Sequence, residues 1–329
     1  MPTEAPETQA ETATPPPSVH HGSRVIVIGA SAGGVEALQQ LVHGLPANFG
    51  APVFVVMHVH ARSRSFLPDI LSAAGPLPAL HAKDGARMEN GQIYVAPPDH
   101  HLMIERDHMH VGMGPKENYQ RPSINVTFRS AALAYGHHAI GVVLTGQLDD
   151  GTAGSWDIKR RGGTVIVQHP EEALFSSMPL STLREVEADY TLRIAEIGPL
   201  LGELVRENGA NETRPKRENP GMQPKVVDLT CPECRGTIWE VPNGPMVQYR
   251  CRVGHSYSPR SMLAEHTAAQ EKALWAAVVA LEEGAVLATK LADQLPDRRE
   301  QLLQESRQKQ HQATTIRSLI QEQPLFSLD

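Results

Sequence analysis

Apolar positions along the chain fall into short β-branched runs separated by longer stretches with helical periodicity. Runs at 25–28, 52–58, 92–96, 101–105, 138–144 and 163–168 predict strands. Periodic stretches at 35–45, 65–74, 123–135, 151–161, 179–185 and 197–207 predict helices. Val25-Ile26-Val27-Ile28 shows no polar alternation, which is the pattern of a strand buried on both faces. Such strands alternating with helices predict an α/β fold with a mainly parallel sheet over 23–205. The runs 92–96 and 101–105, joined across Pro97-Pro98-Asp99-His100, are expected to pair as an antiparallel hairpin at the side.

The pattern changes outside that region. Residues 1–22 are rich in Pro, Thr, Ala and Glu and predict a disordered arm. Residues 206–226 lack a core pattern and read as a linker. A small module is expected over 227–258 and a helical segment over 259–329. Ser258 followed by Pro259 predicts a helix start. That helix carries Leu274, Val278, Leu281, Ala285 and Leu291 on one apolar face around Trp275. A second helix over 298–321 is expected to pair with it as a hairpin, a seam through which the chain could also self-associate.

Composition narrows the function classes. The chain has 329 residues, 40% of them hydrophobic, a formal net charge of −7 and a pI near 6.1. That balance does not suit a partner held by phosphate contacts, so no nucleic acid is expected. No apolar run approaches the roughly 18–20 residues of a membrane span, and no secretory signal opens the chain. All 3 cysteines lie between 231 and 251. This is the distribution of a metal site rather than a disulfide framework, and it points to a reducing cytoplasm.

The candidate chemistry starts at Gly29-Ala30-Ser31-Ala32-Gly33, between the first strand and the first helix. Gly-x-Ser-x-Gly at that junction is the pattern of a nucleophile elbow, with amides at the helix start placed to meet an oxyanion. A dinucleotide fingerprint would need glycine where Ser31 stands and an acid after the second strand, which instead ends in His58 and His60. A purely structural Gly-rich turn is the other alternative. His58 ends its strand on the same rim as Ser31 and is the candidate base, with His60 its competitor. In Leu144-Thr145-Gly146-Gln147-Leu148-Asp149-Asp150-Gly151 an acid could orient the imidazole, or could simply cap the next helix. Spacing alone does not choose between Asp149 and Asp150.

These motifs resemble the chemotaxis protein-glutamate methylesterases of the CheB type. So do Asp84-Gly85, Tyr94-Val95-Ala96-Pro97, Arg121-Pro122-Ser123 with Phe128, and Ser177-Met178-Pro179, in order over about 24–205. The resemblance implies a doubly wound parallel sheet and a carboxylic ester hydrolase acting on glutamate methyl esters of a chemoreceptor or receptor-like sensor. It implies Ser31 as nucleophile, His58 as base and Asp150, directly before Gly151, as orienting acid. No cofactor is implied for catalysis. The oxyanion would be met near Ala32 and Gln147, with Arg121 either orienting an acidic receptor segment or supporting a loop. Gln147 and Leu148 replace the family's methionine and glycine, and losing glycine restricts the turn. Typical members carry an N-terminal receiver domain, and the short segment before the first strand is expected to leave no room for one. Glutamine deamidation and a catalytically silent signalling adaptor are the alternative functions.

In the small module, Cys231-Pro-Glu-Cys234 is followed by Cys251-Arg-Val-Gly-His255. Two thiolates from one turn, met by a Cys and a His from a returning strand, are the ligand set of a structural tetrahedral zinc. The runs 236–240 and 246–250 read as the two strands of a zinc-ribbon-like arrangement. A redox Cys-x-x-Cys is the rival, although it leaves Cys251 and His255 unused. The stretch resembles an extension found on some receiver-less esterases of the same family.

Overall fold

The computed structural model describes residues 24–207 and 224–322. The predicted arm and most of the predicted linker lie outside the described residues. From the start, the elements are β1 (Val25–Ala30), α1 (Gly34–His43), β2 (Val53–Met57), α2 (Leu67–Ala74), β3 (Ala79–His81) and β4 (Ile93–Val95). Next come β5 (His101–Ile104), β6 (Met109–Gly112), α3 (Ile124–Tyr135), β7 (Ala139–Val143) and α4 (Thr152–Lys159). The domain closes with β8 (Thr164–Gln168), α5 (Ser177–Glu185), β9 (Tyr190–Leu192) and α6 (Ile194–Arg206).

Seven strands form one sheet in the order β3-β4-β2-β1-β7-β8-β9, and every pairing is parallel. β1 is central and buried along its whole length. Ile26, Ile28 and Ala30 pack on one face with Leu38, Leu41, Leu71 and Leu201, from α1, α2 and α6. Val25 and Val27 pack on the other with Phe128, Ile158 and Val165. This two-faced burial is the reason the run carries no polar alternation. The chain leaves β1 through β2 toward one edge and returns to β7 on its other side. The strand order therefore reverses between β1 and β7, and the carboxyl ends there are the switch point where such sheets bind ligands.

The hairpin expectation for 92–96 and 101–105 is corrected. β4 is an interior strand, parallel to β2 and β3. β5 pairs antiparallel with β6 instead. Pro97 and Pro98 offer no amide to a ladder, and Asp99 at φ 57 turns the chain away. Ile93–Val95 is buried throughout, as an interior parallel strand requires.

In the C-terminal module β10 (Lys225–Thr230), β11 (Thr237–Asn243), β12 (Met246–Cys251) and β13 (Ser256–Tyr257) make a four-stranded antiparallel sheet. Two of those strands were not legible, and β10 begins within the predicted linker. α7 (Pro259–Gln294) and α8 (Arg299–Glu322) follow. The Ser258 hydroxyl accepts from Ser261 N, with Pro259 in the first turn, as predicted. The 36 residues of α7 span about 54 Å. Its buried positions are Ser261 and Met262 near the start, then Val278, Ala285, Ala288 and Ala292 toward α8; Trp275 faces outward, not into the seam. Among the described residues no helix is long and apolar enough to cross a membrane.

Candidate active site

Three neighbouring strands each deliver one residue to the same rim of the sheet. Ser31 follows β1, His58 follows β2, and Asp150 lies in the loop after β7. The turn after β1 is sharp because Gly33 takes φ 72, in the left-handed region, which a glycine adopts at no steric cost. Gly29 allows a second close approach, since a Cβ there would collide with the Ile124 side chain. The start of α3 can therefore press against β1 behind the serine. Ser31 N donates to Thr145 O at 3.0 Å, tying the turn after β1 to the turn after β7.

The three side chains form one line. His58 Nδ1 lies 3.0 Å from Ser31 Oγ, and Nε2 lies 2.8 Å from Asp150 Oδ2. Asp150 is 2% exposed. It also accepts from Ile124 N at 2.7 Å, Asn125 N at 3.2 Å and the Ser123 hydroxyl at 3.0 Å, with Asn118 Nδ2 at 3.4 Å. The expected cap on the helix starting near Gly151 does not form, since α4 has no side-chain cap; this carboxylate instead accepts from the first amides of α3 while lying against the imidazole. Burial pulls the Asp150 carboxyl upward. The His58 contact and the α3 amides outweigh that and hold it below the usual carboxylate range. Its stabilising effect is present above the unfolded value of about 3.9 and is lost as pH falls through the lower folded value.

Asp149 behaves oppositely. Burial pushes its carboxyl up, against the hydroxyls of Ser258 and Ser261. Ser261 donates to it at 3.1 Å, so it faces the C-terminal module and not His58. His60 is exposed and is not brought to Ser31.

The amides of Ala32 and Gln147 have no acceptor among the described residues. Thr145 bridges this region. Its N–H donates to Gln168 Oε1 at 2.9 Å and its hydroxyl to Ala32 O at 3.0 Å. Arg121 is engaged elsewhere. Its Nε and Nη2 donate to Asp99 Oδ1 at 2.9 and 2.7 Å, and Nη1 donates to Gly114 O at 3.0 Å. That geometry supports the loop alternative for Arg121. Sequence reasoning missed Asn118, Ser123 and Gln168 as partners. Ser123 stood inside a quoted motif, but polar residues that bond across the fold carry no periodic signal.

Cys231, Cys234, Cys251 and His255 converge, with their ligand atoms all within 4.8 Å of one another. Cys231 Sγ and Cys251 Sγ lie 3.7 and 3.5 Å from His255 Nδ1, and Cys234 Sγ lies 3.6 Å from Cys251 Sγ. A tetrahedron with zinc–sulfur bonds of about 2.3 Å and a zinc–nitrogen bond of about 2.0 Å has edges of about 3.5–3.8 Å. The donor set fits. Glu233 Oε2 sits 3.6 Å from His255 Nε2, where a carboxylate can fix a ligating imidazole.

The CheB methylesterase family model matches residues 26–201. A Leptospira interrogans protein named putative protein-glutamate methylesterase/protein-glutamine glutaminase is 38% identical over 184 residues, covering 56% of this chain and 95% of that one. A Methanosarcina mazei protein-glutamate methylesterase/protein-glutamine glutaminase 2 is 37% identical over 190 residues, and the match spans 52% of its length. Among solved structures, the Thermotoga maritima CheB methylesterase catalytic domain aligns with a TM-score of 0.54 and 35% identity, covering 55% of this chain and 98% of that one.

Leu148 adopts φ 61, so the turn that presents the Gln147 amide holds a side chain in a conformation suited to glycine. Leucine tolerates this poorly and a β-branched residue worse. Leu148→Ile keeps the volume and should lose about 1 kcal/mol in urea unfolding, while Leu148→Gly should not show that loss. Equal stability of the isoleucine variant and wild type would contradict a strained turn.

Proposed function

Because the chain belongs to the CheB methylesterase family, we propose that it hydrolyses glutamate methyl esters on chemoreceptors or receptor-like sensors in chemotaxis-type signalling. The products are glutamate and methanol. The observation that carries this reading is the Ser31–His58–Asp150 line at the sheet's switch point, inside the matched segment.

His58 Nδ1 takes the Ser31 proton as Oγ attacks the ester carbonyl. The negative oxygen of the tetrahedral intermediate is met by the Ala32 and Gln147 amides. The C–O bond to the methoxy group breaks, and the imidazolium returns its proton so that methanol leaves. Water activated by His58 then attacks the acyl-serine, releasing glutamate and restoring Ser31. Asp150, ionised and fixed by α3, holds the Nε2 proton and stabilises the imidazolium. None of these steps calls for a cofactor. Arg121 serves as loop support.

A second acyl substrate is favoured by the relatives' printed names, which include protein-glutamine glutaminase. A receptor glutamine amide would pass through the same steps and release ammonia. Methanol and ammonia release from a methylated receptor cytoplasmic fragment separates the two. Wild type should release methanol, and Ser31→Ala should be slower by at least about 10³-fold. Release by both proteins would remove Ser31 as nucleophile. Release by neither would favour a silent adaptor or another acyl group.

We also propose that Cys231, Cys234, Cys251 and His255 hold a structural zinc, with all four positions filled by protein. The purified chain should contain about one zinc, and Cys234→Ser should lower both metal content and thermal stability. Full stability of a metal-free chain would contradict this. Three cysteines without a disulfide suit the cytoplasm, where a receptor's signalling region is reached.

Trp275, Val279 and Val286 are exposed along one side of α7. The proposed occupant of that side is a second copy of the chain. Sedimentation equilibrium should give a dimer that Val286→Glu dissociates, and a monomeric wild type would rule it out.

A further inference from the structure

The Cys/His module meets the α/β domain at the segment that touches Asp150. Residues 116–118 run beside β13. Ser256 N donates to Lys116 O at 3.3 Å, and Asn118 N donates to Ser256 O at 2.7 Å. Ser258 N then donates to Asn118 Oδ1 at 2.9 Å. Asn118 is 4% exposed, and its side-chain Nδ2 points at Asp150 Oδ1 at 3.4 Å.

The backbone that carries His255 is therefore the backbone that holds Asn118. Two further contacts tie this turn to the cluster. Lys116 Nζ lies 3.2 Å from Glu233 Oε1, whose other oxygen faces His255. The Tyr257 hydroxyl lies 3.4 Å from Cys231 Sγ. The module also holds the acid loop directly, through Ser261 and Asp149. Asn118 and Tyr119 both have positive φ, at 50 and 63. A tyrosine does not adopt that conformation readily; the turn is closed by its own backbone, Gln120 N donating to Glu117 O at 3.0 Å, and the bonds from Ser256 and Ser258 hold it from outside.

We propose that Asn118 is a positioning residue for Asp150, and that the metal-ordered 255–261 turn sets its place. Occupancy of the Cys/His cluster then governs turnover without contributing an atom to the active site. This rests on the triad and zinc readings above. A hydrogen bond of 3.4 Å is long, and its worth lies less in its own energy than in fixing Oδ1 while Oδ2 faces His58. With the turn loosened, Asp150 loses the restraint on its outer side, and its bonds to the α3 amides open more often.

The test uses the full chain, zinc-loaded and after stripping with a chelator, and follows methanol release together with amide hydrogen exchange. Stripping should lower kcat about tenfold at nearly unchanged KM, and zinc should restore it. It should also speed exchange at Ile124 and Asn125, the amides that donate to Asp150. Asn118→Ala should show the same loss when zinc-loaded, and stripping it should cause no further loss, because one path is being cut twice. Asn118→Asp leaves the zinc ligands intact and keeps an acceptor for Ser258 N, but removes the donor to Asp150. It should be slow with zinc bound.

Wild-type kcat in zinc-loaded Asn118→Ala and Asn118→Asp would overturn the positioning role. Bound zinc whose removal changes neither kcat nor exchange would overturn the coupling while leaving the zinc reading intact. Multiplying losses from stripping and Asn118→Ala would also overturn the coupling. A chain that takes up no zinc would overturn both the zinc reading and the control by occupancy. Absence of methanol release would strike the esterase reading, and the exchange measurement would still decide the coupling.

Discussion

One buried carboxylate imposes the constraint on which the rest of the site depends. Asp150 is removed from water, which opposes its charge, and it stays ionised because donors converge on it from three directions. The start of α3 gives two amides and the Ser123 hydroxyl, β2 gives His58, and the loop at 116–118 gives Asn118. Each donor fixes an element. α3 must begin against β1, where Gly29 leaves room, and the strand order must bring β1, β2 and β7 side by side. The serine, the imidazole and the carboxylate are then placed by the same contacts that hold the fold together.

Much of this was legible along the chain. The buried runs of β1, β2 and β7 carry their own pattern, and strand ends followed by Gly, Ser, His and Asp point to one rim of a parallel sheet. Periodicity could not separate Asp149 from Asp150, since both sit in the same loop. Their surroundings separate them, one facing the C-terminal module and the other His58. The expected hairpin failed for a related reason. Apolar content told that 92–96 and 101–105 are strands, but the choice of partner depends on chain direction after Pro97-Pro98 and on β6, whose alternating residues are too few to register. Short strands such as β3, β9 and β13 take their extended form from a neighbour's free edge and leave little trace in the sequence.

The C-terminal module shows the same division. The convergence of Cys231, Cys234, Cys251 and His255 was readable from their spacing. Its packing onto the esterase domain was not, since it runs through backbone groups of Ser256 and Ser258 and through scattered polar pairs such as Ser261 with Asp149 and Lys116 with Glu233. Leu148 lies between the two cases. Its departure from glycine was visible in the sequence, and the structure shows the consequence as a positive φ in the turn that presents Gln147.

The most direct measurement is the pairing of turnover with unfolding free energy in Asp150→Asn. If one carboxylate both caps α3 and holds the imidazole, kcat should fall by about 10⁴-fold and stability by about 2 kcal/mol, in the same variant. An asparagine variant with near-wild-type turnover would contradict the assignment of Asp150. Lost turnover at unchanged stability would contradict the claim that catalysis and the helix start share one charge.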